Sequence, residues 1–518
     1  MGYNLAEWVL MLSRNNILIV ALLAAQFCYL LILSPKKTFW CDEVLTYEVV
    51  NQSSFSEMWQ AANDTVNESP PLYFVALWLW KHVAGIDPMA LRLFSALCMM
   101  TTTWVWWRLL GKAYSPDAAT LGVVYCFGLS FLLQYHIADA RQYALLSLFM
   151  SIACSCVYSM CFNKKVSLLN GVGFTLASMG LIYTHYFGVL YSAGMTAAGI
   201  FMLWKSRKAQ FILLFISLLA WASFIPWLPT LKLHQEVAAQ CSWYFPPTIG
   251  ELLEVLTSQA LGIHIFLPLI LLCLAGIRYT SLTSNSSASG ATREQPAQDK
   301  PTLLPIACMM VGIVVFVYFY SLFVHSMFKH RYMICGYPLW AILIAHLGYR
   351  CHSGNDHAKP VSSSLAKTVL NILCVAMIGC LIVSANAVRD TENQAIMEIV
   401  SQRLLPVIDE HSLHQLPRWY LSVTPERYVF LLNSADYGTE YGSNIGPPRF
   451  LADVVKYADR LTAMTIEKFL ETTDEFYLID RPDIGWANRL ILENPAYQCV
   501  RLPAAIGAVA IYLVKKVK

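Results

Sequence analysis

The sequence predicts an all-α polytopic membrane protein of about eleven transmembrane helices, followed by a small C-terminal α/β domain on the outer face of the membrane. Three observations lead there. The 518 residues are 57% hydrophobic and only 13% charged, more apolar than a soluble globular chain of ordinary composition. Apolar stretches of roughly 17 to 23 residues recur as far as residue 387, each long enough to cross about 30 Å of hydrocarbon. From residue 389 onward the composition becomes mixed and charged.

A net charge of +3 on a chain of this size, with no long run of one sign, excludes a nucleic-acid-binding surface of the usual kind. Membrane lipid and a small molecule are the expected partners. The 15 cysteines form no CxxC pair and no Cys/His cluster at metal spacing, and most sit in apolar stretches as small core residues. Asn51, Asn63 and Asn67 open N-x-S/T sequons.

The spans are placed near 16–34, 90–108, 117–137, 143–161, 166–183, 187–204, 209–229, 262–278, 302–324, 332–349 and 368–387. The stretch 71–85 is left out because lysine and arginine gather in short cytoplasmic loops. Without it, Arg108/Lys112, Lys164/Lys165, Lys205/Arg207/Lys208, Arg278/Arg293/Lys300 and Arg350/Lys359/Lys367 all share one face, the cytoplasmic one. Headed by Pro70-Pro71, 71–85 is instead an interfacial helix in a first outer loop, 35–89. Lys36 and Lys37 then fall outside, against the charge rule. The segment 280–300, rich in Ser, Asn, Gln and Ala, is expected to be a disordered cytoplasmic loop. This divides the chain into a membrane domain, 1–388, and an outer-face domain, 389–518. In the latter, 428–433, 476–480 and 509–514 are extended and 450–461 is helical.

On the outer face the ionisable residues form three groups. Asp42 and Glu43 follow the first span directly, and a carboxylate held there can take a proton from an attacking hydroxyl. By themselves, two acids after a span do no more than mark where water begins. Asp139-Ala140-Arg141-Gln142-Tyr143 comes between the third and fourth spans, with Asp139 and Arg141 as a natural pair. Lys329-His330-Arg331-Tyr332 comes before 332–349, placing cations where the charge rule disfavours them and where a bound anion would account for them. Lys329 and Arg331 are suited to clamp a phosphate. Tyr143 and Tyr332 also suit an interfacial aromatic belt, and His185 and Tyr186 stand at another outer turn. A base with a cationic phosphate site suits glycosyl transfer from a polyprenyl-phosphate sugar, because a phosphate leaves without needing a proton.

The order and spacing of these residues resemble the glycosyltransferase-C (GT-C) superfamily. The similarity is to the family 39-like branch holding protein O-mannosyltransferases, the lipid A aminoarabinose transferase and rhizobial-type lipopolysaccharide glycosyltransferases. It rests on Asp42-Glu43, Ser69-Pro70-Pro71-Leu72-Tyr73, Arg92 with Ser95, Ala140-Arg141-Gln142-Tyr143, Thr184-His185-Tyr186-Phe187-Gly188 and His330-Arg331-Tyr332, and covers roughly residues 10–350. The resemblance implies a polyprenyl- or dolichyl-phosphate sugar donor, a lipid, glycan or protein acceptor, and an inverting displacement with Asp42 as base. Glu43 and Asp139 would be its acidic neighbours, and Arg141 and Arg331 would bind the donor phosphate. Tyr73, Tyr143, His185, Tyr186, His330 and Tyr332 would be substrate contacts. Some relatives bind a divalent metal and others need none, so Mg²⁺ or Mn²⁺ at Asp42 and Asp139 stays open. The expected site is a bacterial plasma membrane with chemistry outside, the endoplasmic reticulum with chemistry in the lumen being the alternative. A flippase of lipid-linked sugars would share the hydropathy, but transporters gather their polar groups near the bilayer midplane.

Overall fold

In the computed structural model the described residues are 14–240, 246–258, 301–353, 391–410, 412–432, 448–481, 487–503 and 509–517. The expected spans at 262–278 and 368–387 and the loop at 280–300 lie outside them. The chain divides into two compact units, each discontinuous in sequence: Met1–Leu33, Arg92–Ile225 and Pro246–Ala387 form the first; Ser34–Leu91, Pro226–Phe245 and Val388–Lys518 form the second.

The first unit is helical. Its helices are α1 (Arg14–Leu33), α5 (Pro88–Ala113), α6 (Pro116–Leu129), α7 (Tyr143–Phe162), α8 (Leu168–Thr184), α9 (Gly188–Met202), α10 (Arg207–Ala222), α12 (Leu304–Phe323) and α13 (Leu339–Ser353). Among the described residues, five helices are long and apolar enough to cross a membrane, and seven if each bent pair counts as one span. This is an integral multi-pass membrane protein. Ser115 starts α6 by accepting the Ala118 N–H, with Pro116 at the first helical position, where no N–H is required. Ser130 interrupts this span and caps the short helix after it, bending the axis by 67°. Packing between spans relies on small residues and polar links, since lipid gives apolar faces no reason to meet. A Cβ on Gly122 would come within 2.4 Å of the Ala341 carbonyl, so α6 and α13 approach backbone to backbone. Gln26 donates to Thr103 at 3.0 Å, and Trp221 donates to Ser192 at 2.9 Å.

The second unit joins residues 34–91 and 226–245 to the C-terminal region. It contains α2 (Cys41–Asn51), α3 (Phe55–Asn63), α4 (Leu72–Ala84) and α11 (Leu228–Gln240), then α14 (Thr391–Val400), α15 (Ser412–Leu421), α16 (Pro448–Tyr457) and α17 (Ile466–Thr472). The 13 residues of α4 rise about 20 Å, too short to span by itself. Lys81 on α4 donates to the carbonyls of Val50 and Gln52 at 2.7 and 2.6 Å, satisfying the end of α2. Ser54 and Glu57 form a capping box that starts α3.

Strands β1 (Val407–Asp409), β4 (Glu475–Asp480), β6 (Ala510–Lys516) and β5 (Tyr497–Arg501) make a mixed sheet in the order β1-β4-β6-β5. β1 and β4 are parallel, whereas β6 runs antiparallel to both its neighbours. β2 (Val429–Leu431) and β3 (Thr462–Met464) form a parallel pair. Ile408, Leu431, Phe469, Phe476, Leu478 and Val514 supply the core. Long-range links tie the three segments of this unit together. Lys456 reaches Asp64 at 2.6 Å, Thr65 donates to Asp453 at 2.6 Å, and Thr230 donates to Asn63 at 3.0 Å.

Candidate active site

Asp42 and Glu43 occupy the first turn of α2, where the helix dipole favours carboxylates. Their surroundings differ sharply. Glu43 is fully buried, faces Lys37 at 3.8 Å and meets the Trp40 N–H at 3.5 Å. Lys37 is itself buried, so its place against the charge rule has a partner on the same unit. Asp42 is only half-buried. Of the two it is the more exposed carboxylate. One turn further along α2, Glu48 is buried and its carboxyl is pushed up to about 8, first by burial and then by Asp459, with Arg460 opposing. Tyr73, on α4, is also buried.

In the first unit the polar residues converge where α7 begins. His136–Ala138 is a turn of 3₁₀ helix, in which side chains three apart eclipse. His136 Nδ1 therefore meets Asp139 Oδ2 at 2.8 Å, with both groups buried. His136 is the residue missed from sequence; the i,i+3 spacing before a helix start was its only signal. Ser95 donates to the Arg141 carbonyl at 3.5 Å, linking the start of α5 to this turn. Arg92, close by in sequence, is fully buried.

The turn between α8 and α9 supplies His185. A Cβ on Gly188 would stand 1.9 Å from the Leu181 carbonyl, so only glycine permits this turn. The Phe187 N–H donates to His185 Nδ1 at 3.1 Å, which leaves the ring proton on Nε2. Burial, then Arg141, then Arg331, push the imidazole down to about 3. It is neutral at physiological pH.

Rings complete the group. Tyr143 lies 4.6 Å from His136, 5.9 Å from His185 and 6.4 Å from Tyr332, centre to centre. Tyr332 lies 5.0 Å from His185 and carries the Arg331 guanidinium at 5.4 Å. Tyr191 fixes this segment by donating to the Tyr332 carbonyl at 2.7 Å. Lys329 caps the 3₁₀ segment His330–Gly336, and His330 stands 3.7 Å from Glu254. Tyr186 is half-buried. Asp139, Arg141, Tyr143, His185, Arg331 and Tyr332 are thus gathered in one unit, whereas Asp42, Glu43 and Tyr73 belong to the other. Among the described residues, no three His, Cys, Asp or Glu side chains gather as a metal-binding group.

Residues 68–229 match the family model described as dolichyl-phosphate-mannose-protein mannosyltransferase. Over this segment the chain is similar to the membrane glycosyltransferases that the family model describes. Among solved structures it is similar to ArnT from Cupriavidus metallidurans bound to undecaprenyl phosphate, at 14% identity and a TM-score of 0.57, over 96% of this chain and 97% of that one. It is similar also to the same protein in its apo state, at 13% identity and a TM-score of 0.58, over 98% of both chains. No curated protein matches significantly. The matched segment contains Asp139, Arg141 and His185 and stops short of residues 329–332, while Asp42 precedes it.

Proposed function

We propose that the protein moves a sugar from a polyprenyl- or dolichyl-phosphate-linked donor to a lipid, glycan or protein acceptor on the outer side of a bacterial plasma membrane. The observation that carries this reading is the grouping at the start of α7, where Arg141 is buried two residues before Tyr143 and the Arg331 guanidinium stands 5.4 Å from the Tyr332 ring, itself 5.0 Å from His185. Two cations in a partly dry setting suit the charge that develops on a departing phosphate. Undecaprenyl phosphate bound to the similar ArnT structure supports a donor of this class.

Asp42 is the base in this scheme. It takes the proton from the acceptor hydroxyl as that oxygen bonds to the anomeric carbon. The carbon–oxygen bond to phosphate breaks, its electron pair leaves with the polyprenyl phosphate, and the anomeric configuration inverts. Arg141 and Arg331 hold the phosphate, with Lys329 as a further cation. Tyr143 and Tyr332 wall the sugar. Glu43, satisfied by Lys37, keeps the start of α2 in place and leaves Asp42 as the reactive acid.

Asp42→Asn is the direct test, assayed in membranes with a polyprenyl-phosphate sugar donor identified from the glycolipid or glycan lost in a deletion strain. Loss of a positioned base lowers transfer by about 10²–10⁴-fold, with expression and insertion unchanged. Full activity in this variant removes Asp42 as the base.

A further inference from the structure

We infer that the far ends of α5 and α7 hold the phosphate of an anionic lipid headgroup, at a site separate from the one that transfers sugar. The 20 residues of α7 rise about 30 Å, so this end lies about a bilayer's hydrocarbon thickness from the turn at Asp139. Tyr158 on α7 donates to the Lys112 carbonyl on α5 at 3.4 Å and fixes the two ends together. Between them is a cavity of ≈ 270 Å³, lined by Trp104, Arg108 and Lys112 from α5 and by Ser155 and Ser159 from α7. At about 30 Å³ per liquid water, it has room for a phosphodiester and part of its hydration.

The lining is ordered. Trp104, Arg108 and Lys112 follow at intervals of four and stand on one face of α5, as Ser155 and Ser159 do on α7. Arg108 and Lys112 are exposed, and neither enters an ion pair among the described residues. The Ser155 hydroxyl donates to the Ser151 carbonyl at 2.9 Å. That of Ser159 makes no hydrogen bond among the described residues and is free to donate to an anion. Trp104 is 48% exposed and, with Leu109, gives the cavity an apolar wall beside its cations. A free anion needs no such wall, whereas a lipid places its phosphate at the cations and its chains along the tryptophan.

Cytoplasmic anchoring and compensation of a helix C-terminus would account for basic residues here. Neither requires the two cations to share one face over a cavity completed by a hydroxyl of another helix.

The test compares wild type, R108Q/K112Q and S159L, purified in a neutral detergent, by native mass spectrometry with short-chain phosphatidylglycerol, phosphatidylcholine and inorganic phosphate. The expected result is preferential retention of phosphatidylglycerol, falling about tenfold or more in R108Q/K112Q as two surface cations are lost. S159L, which fills the cavity and keeps both charges, also loses it. Phosphatidylcholine retention and sugar transfer stay unchanged in both variants, which controls for folding. Equal phosphatidylglycerol retention in all three proteins overturns the site. Displacement of the lipid by millimolar inorganic phosphate overturns the lipid assignment and identifies a free anion as the occupant.

Discussion

The turn at Asp139 and the C-terminal sheet both bury acids beside arginines, but they compensate them in different ways. In the sheet, Arg481 donates to both oxygens of Asp409, at 2.9 and 3.2 Å, and Arg418 pairs with the same carboxylate. Glu410 accepts from the backbone N–H groups of Arg481 and Ala487. These groups close on one another at the ends of β1 and β4. At Asp139 the charged and titratable groups come from three separate turns, include a histidine held neutral, and are interleaved with Tyr143 and Tyr332. A charge cluster whose members bond to one another serves the fold. One assembled from several turns beside aromatic faces is what the proposed donor site requires.

That contrast can be broken by substitution. After the loss at Asp42→Asn, the largest effect is expected in the sheet: Arg418→Met leaves Asp409 buried with part of its compensation gone, at a cost of about 3–5 kcal/mol. Thermal melting in detergent should drop steeply, while the protein that remains folded should turn over at the normal rate. Arg331→Ala should show the converse, with little change in melting and transfer down about 10–100-fold through a weaker donor interaction. If donor KM and kcat both stay at wild-type values, Arg331 has no donor role. If Arg331→Ala melts like Arg418→Met, the distinction between the two clusters fails.

A smaller effect concerns Glu48 on α2. Its folded pKa, about 8, lies above that of the unfolded chain, so the folded state binds the extra proton between roughly pH 4.5 and 8. Stability is therefore greatest below that window and declines as pH rises through it. Glu48→Gln should flatten this decline, by on the order of 1–2 kcal/mol at pH 8. A wild-type melting temperature that does not fall between pH 6 and pH 8 would show that Glu48 does not titrate there.

Much of the membrane region could be read from the chain because hydrocarbon imposes a local rule: a helix must be long and apolar whatever its neighbours are. Each of the nine expected spans that fall on described residues coincides with helix. In the C-terminal region, β2, β4 and β6 coincide with the extended runs and α16 with the expected helix, whereas β1, β3 and β5 were not anticipated. β1 and β3 have three residues each, and β5 is largely exposed, so none carries an alternation long enough to register. Of the sequon asparagines, Asn67 is buried and donates to Thr46 at 3.3 Å, a role in the fold that the motif alone does not show.

The sequence by itself determined the apolar spans, the short helix after Pro70-Pro71 and the presence of acids and cations at the span ends, because hydropathy, length and charge are local properties. Tertiary structure alone decided that Glu43 is buried against Lys37 while Asp42 stays accessible, that Asp139 meets His136, and that Arg141 and Arg331 act on one histidine. It also decided that residues 34–91, residues 226–245 and the C-terminal region form one unit. Those outcomes depend on burial and on partners up to hundreds of residues apart, and no local pattern encodes either.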